Sequence, residues 1–408
     1  MEMTYTPPVA DIDKRRSHAL IAGVIGLAAC ALGFVVDRDQ LFRSWLIAYL
    51  LFLGIALGSM ALMMIQHLSG GTWGVFRRIF EASSRTIPFM FVLFVPIAVF
   101  GMTSLYVWTH PEHVQADEIL RHKAPYLNTP FWIGRAVFYF AVWSGLSIVL
   151  NRLSARQDTG EVGVNRTIQR LCGAGIVIYA LTVTFAGIDW IMSINPHWYS
   201  TLFGFLMMGG QGLSALAFTI VISTILVKSE PMNTLLKPSH FHDLGKLMFA
   251  FVMLWAYFNF SQFLLTYAAN LVEEIPYMVA RMSHGWQYLA VFLITFHFFV
   301  PWLLLLSRKL KRTPQRLVII AAWLLFARYA DLYMMVTPEF ATTGQNLHLV
   351  EGGEAVSRFF VHWLDLAAPL AIGGLWFWMF LTELRKRPML AVGDPYLRES
   401  LASAGGHH

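Results

Sequence analysis

Ten runs of mostly apolar residues follow one another along the chain, at 17–36, 45–68, 85–108, 130–152, 169–192, 200–227, 246–268, 285–306, 317–336 and 359–382. Each is close to the roughly 20 residues an α-helix needs to cross a hydrocarbon layer about 30 Å thick. The connections are short. The longest, at about 109–129 and 337–358, are too small to fold alone. The pattern predicts an all-α polytopic membrane protein, a single membrane domain over 1–408 with ten transmembrane helices.

Composition agrees. The chain is 57% hydrophobic and 13% charged, where a soluble domain carries about 25% charged residues. The net charge of +6 sits in connections, and no basic run interleaves with aromatics, so no nucleic-acid partner is expected. The cations give an orientation. With the N-terminus cytoplasmic, 22 of the 30 Lys and Arg fall in cytoplasmic segments, around Lys14, Arg77, Arg152, Lys228, Arg308 and Arg385. Outside segments hold Arg38, Arg43, Arg121, Lys123, Arg281 and Arg358, while Arg135 and Arg328 lie within spans. Both termini should therefore be cytoplasmic, with 383–408 a cytoplasmic tail. "KRRSHALIAGVIGLAAC", ending at Cys30, mimics a lipoprotein signal but reads as the first span. Cys30 and Cys172 are isolated thiols, and no C-x-x-C-H haem attachment site exists.

Two segments echo each other. "DWIMSINP" (189–196) and "DLYMMVTP" (331–338) share D-x-x-M-x-x-x-P, each at the outer end of a span and four spans apart. That spacing suggests two parallel-related four-helix bundles, spans 2–5 (45–192) and 6–9 (200–336), with spans 1 and 10 peripheral. "GSMAL" (58–62) and "GLSAL" (212–216) supply small-residue faces for close packing.

Ionisable residues inside a bilayer are costly and mark pairs or function. Here they gather in the outer half. Arg135 opens span 4, Asp189 ends span 5, and Arg328 and Asp331 share one face of span 9. Glu273 and Glu274 follow span 7, His284 precedes span 8, and His362 and Asp365 open span 10. Asn259 and Gln262 lie at mid-to-outer depth in span 7. The candidate proton or quinone pocket is thus Arg135, Asp189, Asn259, Gln262, Glu273, Glu274, His284, Arg328 and Asp331. Asp189 sits near a helix C-terminus, where the macrodipole disfavours an acid, and Arg135 is its expected partner. Only His297 is central enough to ligate haem in the membrane, so a bis-histidine haem is not expected and the chain should carry no redox metal.

Together, "QHLSGGTWG" (66–74), "HKAPYLNTPF" (122–131), "DWIMSINPHWYSTLFG" (189–204), "WAYFNFSQFLLTYAANLVEEIPY" (255–277) and "RYADLYMMV" (328–336) resemble the NrfD/PsrC-like integral membrane subunits of bacterial alternative complex III, nearest the shorter, ActF-type subunit. The resemblance covers nearly the whole chain. It implies a multi-pass subunit of a bacterial cytoplasmic-membrane complex that oxidises quinol (menaquinol or ubiquinol) and passes electrons to a cytochrome c or copper protein. It further implies a paralogous NrfD-like membrane subunit, a periplasmic iron–sulfur protein and multihaem c-type cytochromes as partners, besides lipids. Haem and iron–sulfur clusters would sit in those partners, and the membrane subunit would bind quinone or translocate protons. Two other classes compete. A secondary transporter would bind its substrate at the midplane near broken helices, for which Gly209-Gly210, Pro88 and Pro96 are modest signals. A scaffold subunit would hold the acids paired and inert.

Overall fold

The computed structural model describes residues 7–272, 274–342, 349–351, 354–356, 358–397 and 400–401. Among them are ten helices long and apolar enough to cross a membrane: α1 (Val9–Val36), α2 (Arg38–Ser69), α3 (Thr72–Leu105), α4 (Thr129–Asp158), α5 (Val164–Ile194), α6 (Phe203–Leu226), α7 (Pro238–Ala269), α8 (Trp286–Leu306), α9 (Pro314–Val336) and α10 (Leu364–Leu384). The multi-pass character read from hydropathy is therefore present in the fold.

Local chemistry sets several helix ends. The Asp37 carboxylate accepts from the Gln40 amide N–H at 3.0 Å and caps α2. Asn128 does the same for α4 through Phe131 N–H at 3.0 Å, with Pro130 in the first turn. Gly70, at φ 68°, lets the chain leave α2 and turn into α3.

The centre belongs to α2 and α6, the two helices most completely enclosed by the rest of the chain. They pack on each other through the small residues the sequence singled out. A Cβ on Gly58 would collide with the backbone of Gln211, so the backbones meet directly there. Helices α3 and α5 lie against α2, and α4 packs on α3 and α5; α7 and α9 lie against α6, and α8 packs on α7 and α9. Helix α10 packs on α2, and α1 is attached chiefly through α10. Gly26 of α1 faces the backbone of Ala371, and Gly374 of α10 faces Gly23.

One end of the molecule carries both ends of the described chain. There Arg385 meets Asp13 at 2.6 Å, and Ser400 donates to the Gly71 carbonyl at 3.1 Å. We call it the termini face. Its cations are not all solvated, as the loop assignment of Arg77, Arg78 and Arg85 implied. Helix α3 starts at Thr72 rather than near 85, because its charged first turns are folded into the interior. Arg77 and Arg78 are buried and converge on Glu81, which is 0% exposed, at 3.1 and 2.6 Å. Ser154 adds a 2.6 Å hydrogen bond to the same carboxylate. Arg77 also reaches Asp394 at 3.0 Å, so part of the expected tail is locked onto the bundle. A window that scores hydropathy rejects such turns, since it cannot see that the charges neutralise one another.

Candidate functional site

Asp189, wholly buried at the end of α5, is closed off by its neighbours. The Arg135 guanidinium donates to both carboxylate oxygens, Nε at 2.8 Å and Nη2 at 2.9 Å. The Tyr139 hydroxyl, one turn further along α4, adds a third bond at 2.7 Å. Arg135 also packs against two rings set at right angles, 3.8 Å from the Tyr126 centroid and 4.4 Å from Phe131, and its Nη1 donates to the Tyr126 carbonyl at 3.0 Å. Burial, and then the Asp189 carboxylate, push the Tyr126 hydroxyl above its ordinary pKa, which keeps it neutral. Every element of this arrangement favours a fixed, bidentate ion pair.

Asp331 on α9 is the counterpart. It takes Arg328 one turn earlier and the indole N–H of Trp255 from α7 at 3.1 Å. Arg328 lies across Gly210 of α6 so closely that a Cβ there would collide with the guanidinium. Gly210→Ala is therefore expected to destabilise the fold by about 1–3 kcal/mol, measurable as a lower unfolding temperature in detergent; an unchanged temperature would show that Arg328 relocates freely. Beside this pair His297 packs against Trp255, the rings tilted at 43° with centroids 4.1 Å apart. It is wholly buried on the π-helical stretch Leu293–Phe299, and among the described residues neither ring nitrogen has a hydrogen-bond partner. Such stretches recur at functional positions.

The remaining expected site residues do not converge with these. Gln262 accepts from Ser200 and donates to Thr266 at 3.3 Å, and Asn259 caps the Trp255 carbonyl of its own helix at 2.9 Å. Glu274 is half-buried in the turn after α7. His284 is exposed, at φ 50°, and its carbonyl accepts from Phe359 N–H at 3.0 Å. Glu273 lies outside the described residues. The eight described ones thus form separate local groups rather than one pocket. The two motif ends do meet: Asn195 donates to Glu339 at 2.8 Å, and Arg281 donates to Glu339 at 2.5 Å.

A cavity of about 890 Å³ lies elsewhere, walled by α2, α6, α8, α9 and α10. Its floor is buried, with Ile55, Phe218 and Tyr333, while Tyr288, Phe326, Leu366 and Leu370 at the rim are exposed. The cavity therefore opens sideways, on the apolar flank that a bilayer would cover. At its polar end stands Asp365, 2% exposed. One carboxylate oxygen accepts from Ser44 Oγ at 2.6 Å and Gln40 Nε2 at 3.2 Å, the other from His362 N–H at 2.8 Å. No cation lies within ion-pair distance of it among the described residues. An ionised carboxylate offers about four acceptor positions. Three are used, and the Tyr333 hydroxyl, which also donates to the Phe360 carbonyl, stands against the fourth. Tyr329 and Tyr333 line the same end, donating to the carbonyls of Asp365 at 2.7 Å and Phe360 at 2.5 Å.

Asp365 was noted in the sequence as opening span 10, but it was not among the nine. Its partners Gln40 and Ser44 are one turn apart in the polar stretch just before the second apolar run, where nothing singles them out from Arg38, Asp39 and Arg43. Among the described residues no three His, Cys, Asp or Glu side chains gather in a way that could hold a metal ion. Comparison with known proteins finds no family model and no curated protein that matches this chain.

Proposed function

We propose that this chain is a membrane subunit of a quinol-oxidising electron-transfer complex of the alternative complex III kind. In this reading α2–α5 and α6–α9 are two related four-helix bundles, and the termini face is cytoplasmic. The observation that carries it is the cavity beside Asp365: a laterally open apolar chamber of about 890 Å³ ending in a buried carboxylate that has no cation partner among the described residues. A quinol needs an apolar channel for its tail and hydrogen-bond partners for its ring oxygens. Asp365 begins α10 at the end away from the termini, so under the charge bias the ring would sit near the outer surface. Oxidation of one quinol releases two electrons and two protons. Asp365 accepts a hydroxyl proton on its way outward, and the electrons pass to iron–sulfur and haem groups of periplasmic partners.

The Arg135–Asp189 pair then serves as a fixed strut, and His297, beside Arg328–Asp331 and without a hydrogen-bond partner among the described residues, is a further titratable group at membrane depth. A purification tests the reading. The chain should copurify with haem-containing and iron–sulfur subunits, with quinone extractable from the preparation. A stable lone chain that moves a solute in vesicles would instead favour the transporter reading, whose support is the π-helical interruptions at Ile97–Gly101 and Leu293–Phe299.

A further inference from the structure

A second cavity, about 260 Å³, lies on the termini face between the first turns of α1, the end of α6 and the end of α10. Its inner wall is apolar and buried, with Ile222, Leu226, Leu381 and Leu384. Ile225 and Phe377 continue that wall, half-buried. Two cations stand in its lining, Arg15 and Lys228, both exposed. Neither has an ion pair or side-chain hydrogen bond among the described residues. Their neighbours are committed: Arg16 and Arg385 both sit on Asp13, at 3.9 and 2.6 Å, and Lys386 sits on Glu383 at 2.5 Å. The one acid in the lining, Asp11, is engaged by the Ser229 hydroxyl at 3.1 Å.

Two uncommitted positive charges over an apolar wall at the ends of three spanning helices define a ligand by its chemistry. A water-soluble anion would leave the apolar wall unused. A zwitterionic lipid would bring no net charge to the cations. We propose that this pocket binds one anionic phospholipid, its phosphodiester between Arg15 and Lys228 and an acyl chain along Ile225 and Phe377 toward the bilayer. Helix α1 begins at Val9, α6 ends at Leu226 and α10 ends at Leu384, so both cations lie at the level where headgroups pack, and basic pockets between spanning helices at that level hold anionic lipid headgroups. The lipid would also have a mechanical role. Helix α1 is packed mainly on α10, and a lipid in this cavity ties both to the end of α6.

The test uses the detergent-purified, delipidated protein with whatever subunits accompany it, titrated with phosphatidylglycerol or phosphatidylcholine and read by native mass spectrometry and by unfolding temperature. Phosphatidylglycerol should bind with 1:1 stoichiometry and raise the unfolding temperature, and phosphatidylcholine should bind at least ~10-fold more weakly. Arg15→Gln with Lys228→Gln should remove that preference, and Asp11→Asn should strengthen phosphatidylglycerol binding. Ile225→Trp keeps both cations but fills the acyl path, so it should weaken binding as well; it carries the test if the double variant does not fold. Equal binding of the two lipids, an unaffected double variant or an unaffected Ile225→Trp protein would overturn the proposal. So would glycerol 1-phosphate competing at the concentrations at which phosphatidylglycerol binds, since that would mean the anion alone is recognised.

Discussion

Asp365→Asn is expected to leave the complex assembled and to slow quinol oxidation at least ~10-fold, a barrier increase of about 1.4 kcal/mol. The substitution preserves size and one acceptor oxygen but removes the proton-accepting carboxylate. It also sets an amide N–H₂ against one of three donors now served: Ser44 Oγ, Gln40 Nε2 or His362 N–H. The loss of one such bond costs about 1–3 kcal/mol in a buried place. A modest drop in unfolding temperature should therefore accompany the kinetic effect, and quinone occupancy, measured by extraction, should fall less than turnover does. A second variant separates the carboxylate from the cavity. Ala330→Trp projects an indole into the chamber from α9 without touching the Asp365 hydrogen bonds, so it should expel quinone and abolish turnover while haem subunits still copurify. Full turnover in an assembled Asp365→Asn complex would sink the proton role. Retained quinone in Ala330→Trp would place the quinone elsewhere, while absent haem partners would reject the complex reading itself.

The ten spans were legible because hydropathy is local: about 20 adjacent residues contain the whole signal. What hydropathy missed are the charged turns that burial has neutralised. The Arg77–Arg78–Glu81 turn reads as a loop until Ser154, from α4, and Asp394, from the stretch after α10, are brought to it. The pairing of Arg135 with Asp189 was legible for a related reason. Both residues stand at the same end of consecutive spans joined by a short connection at the other end, so antiparallel packing brings them together. Asp365 was harder to weigh. Acids are common in first turns of helices, where the macrodipole favours them. Its partners Ser44 and Gln40 stand 321 and 325 positions away, and only the contact between α2 and α10 joins them. The cavity was illegible for the same cause, since its walls come from five helices and no window of sequence contains them.

Arg135→Gln is expected to destabilise the protein by about 3–5 kcal/mol, since it leaves the Asp189 carboxylate buried without a charge partner. The geometry leaves little room for rescue: Tyr139 supplies one donor at 2.7 Å, and Asp189 itself is wholly buried. Replacing both members, Arg135→Met with Asp189→Leu, should recover most of that loss, because a pair of this kind is costly to break and cheap to remove whole. Unfolding in detergent gives the three stabilities and, by the cycle they form with the parent, the coupling. Asp189→Asn distinguishes a strut from a proton carrier. If the carboxylate exchanges protons, the Asn complex assembles and turnover with its coupled proton release falls at least ~10-fold. If the pair is a strut, the Asn variant loses assembly or stability because Arg135 is left with a neutral partner, and the paired replacement assembles and turns over normally. The bidentate bonds and the third donor from Tyr139 favour the second outcome, which would leave Asp365 and His297 to carry the proton chemistry.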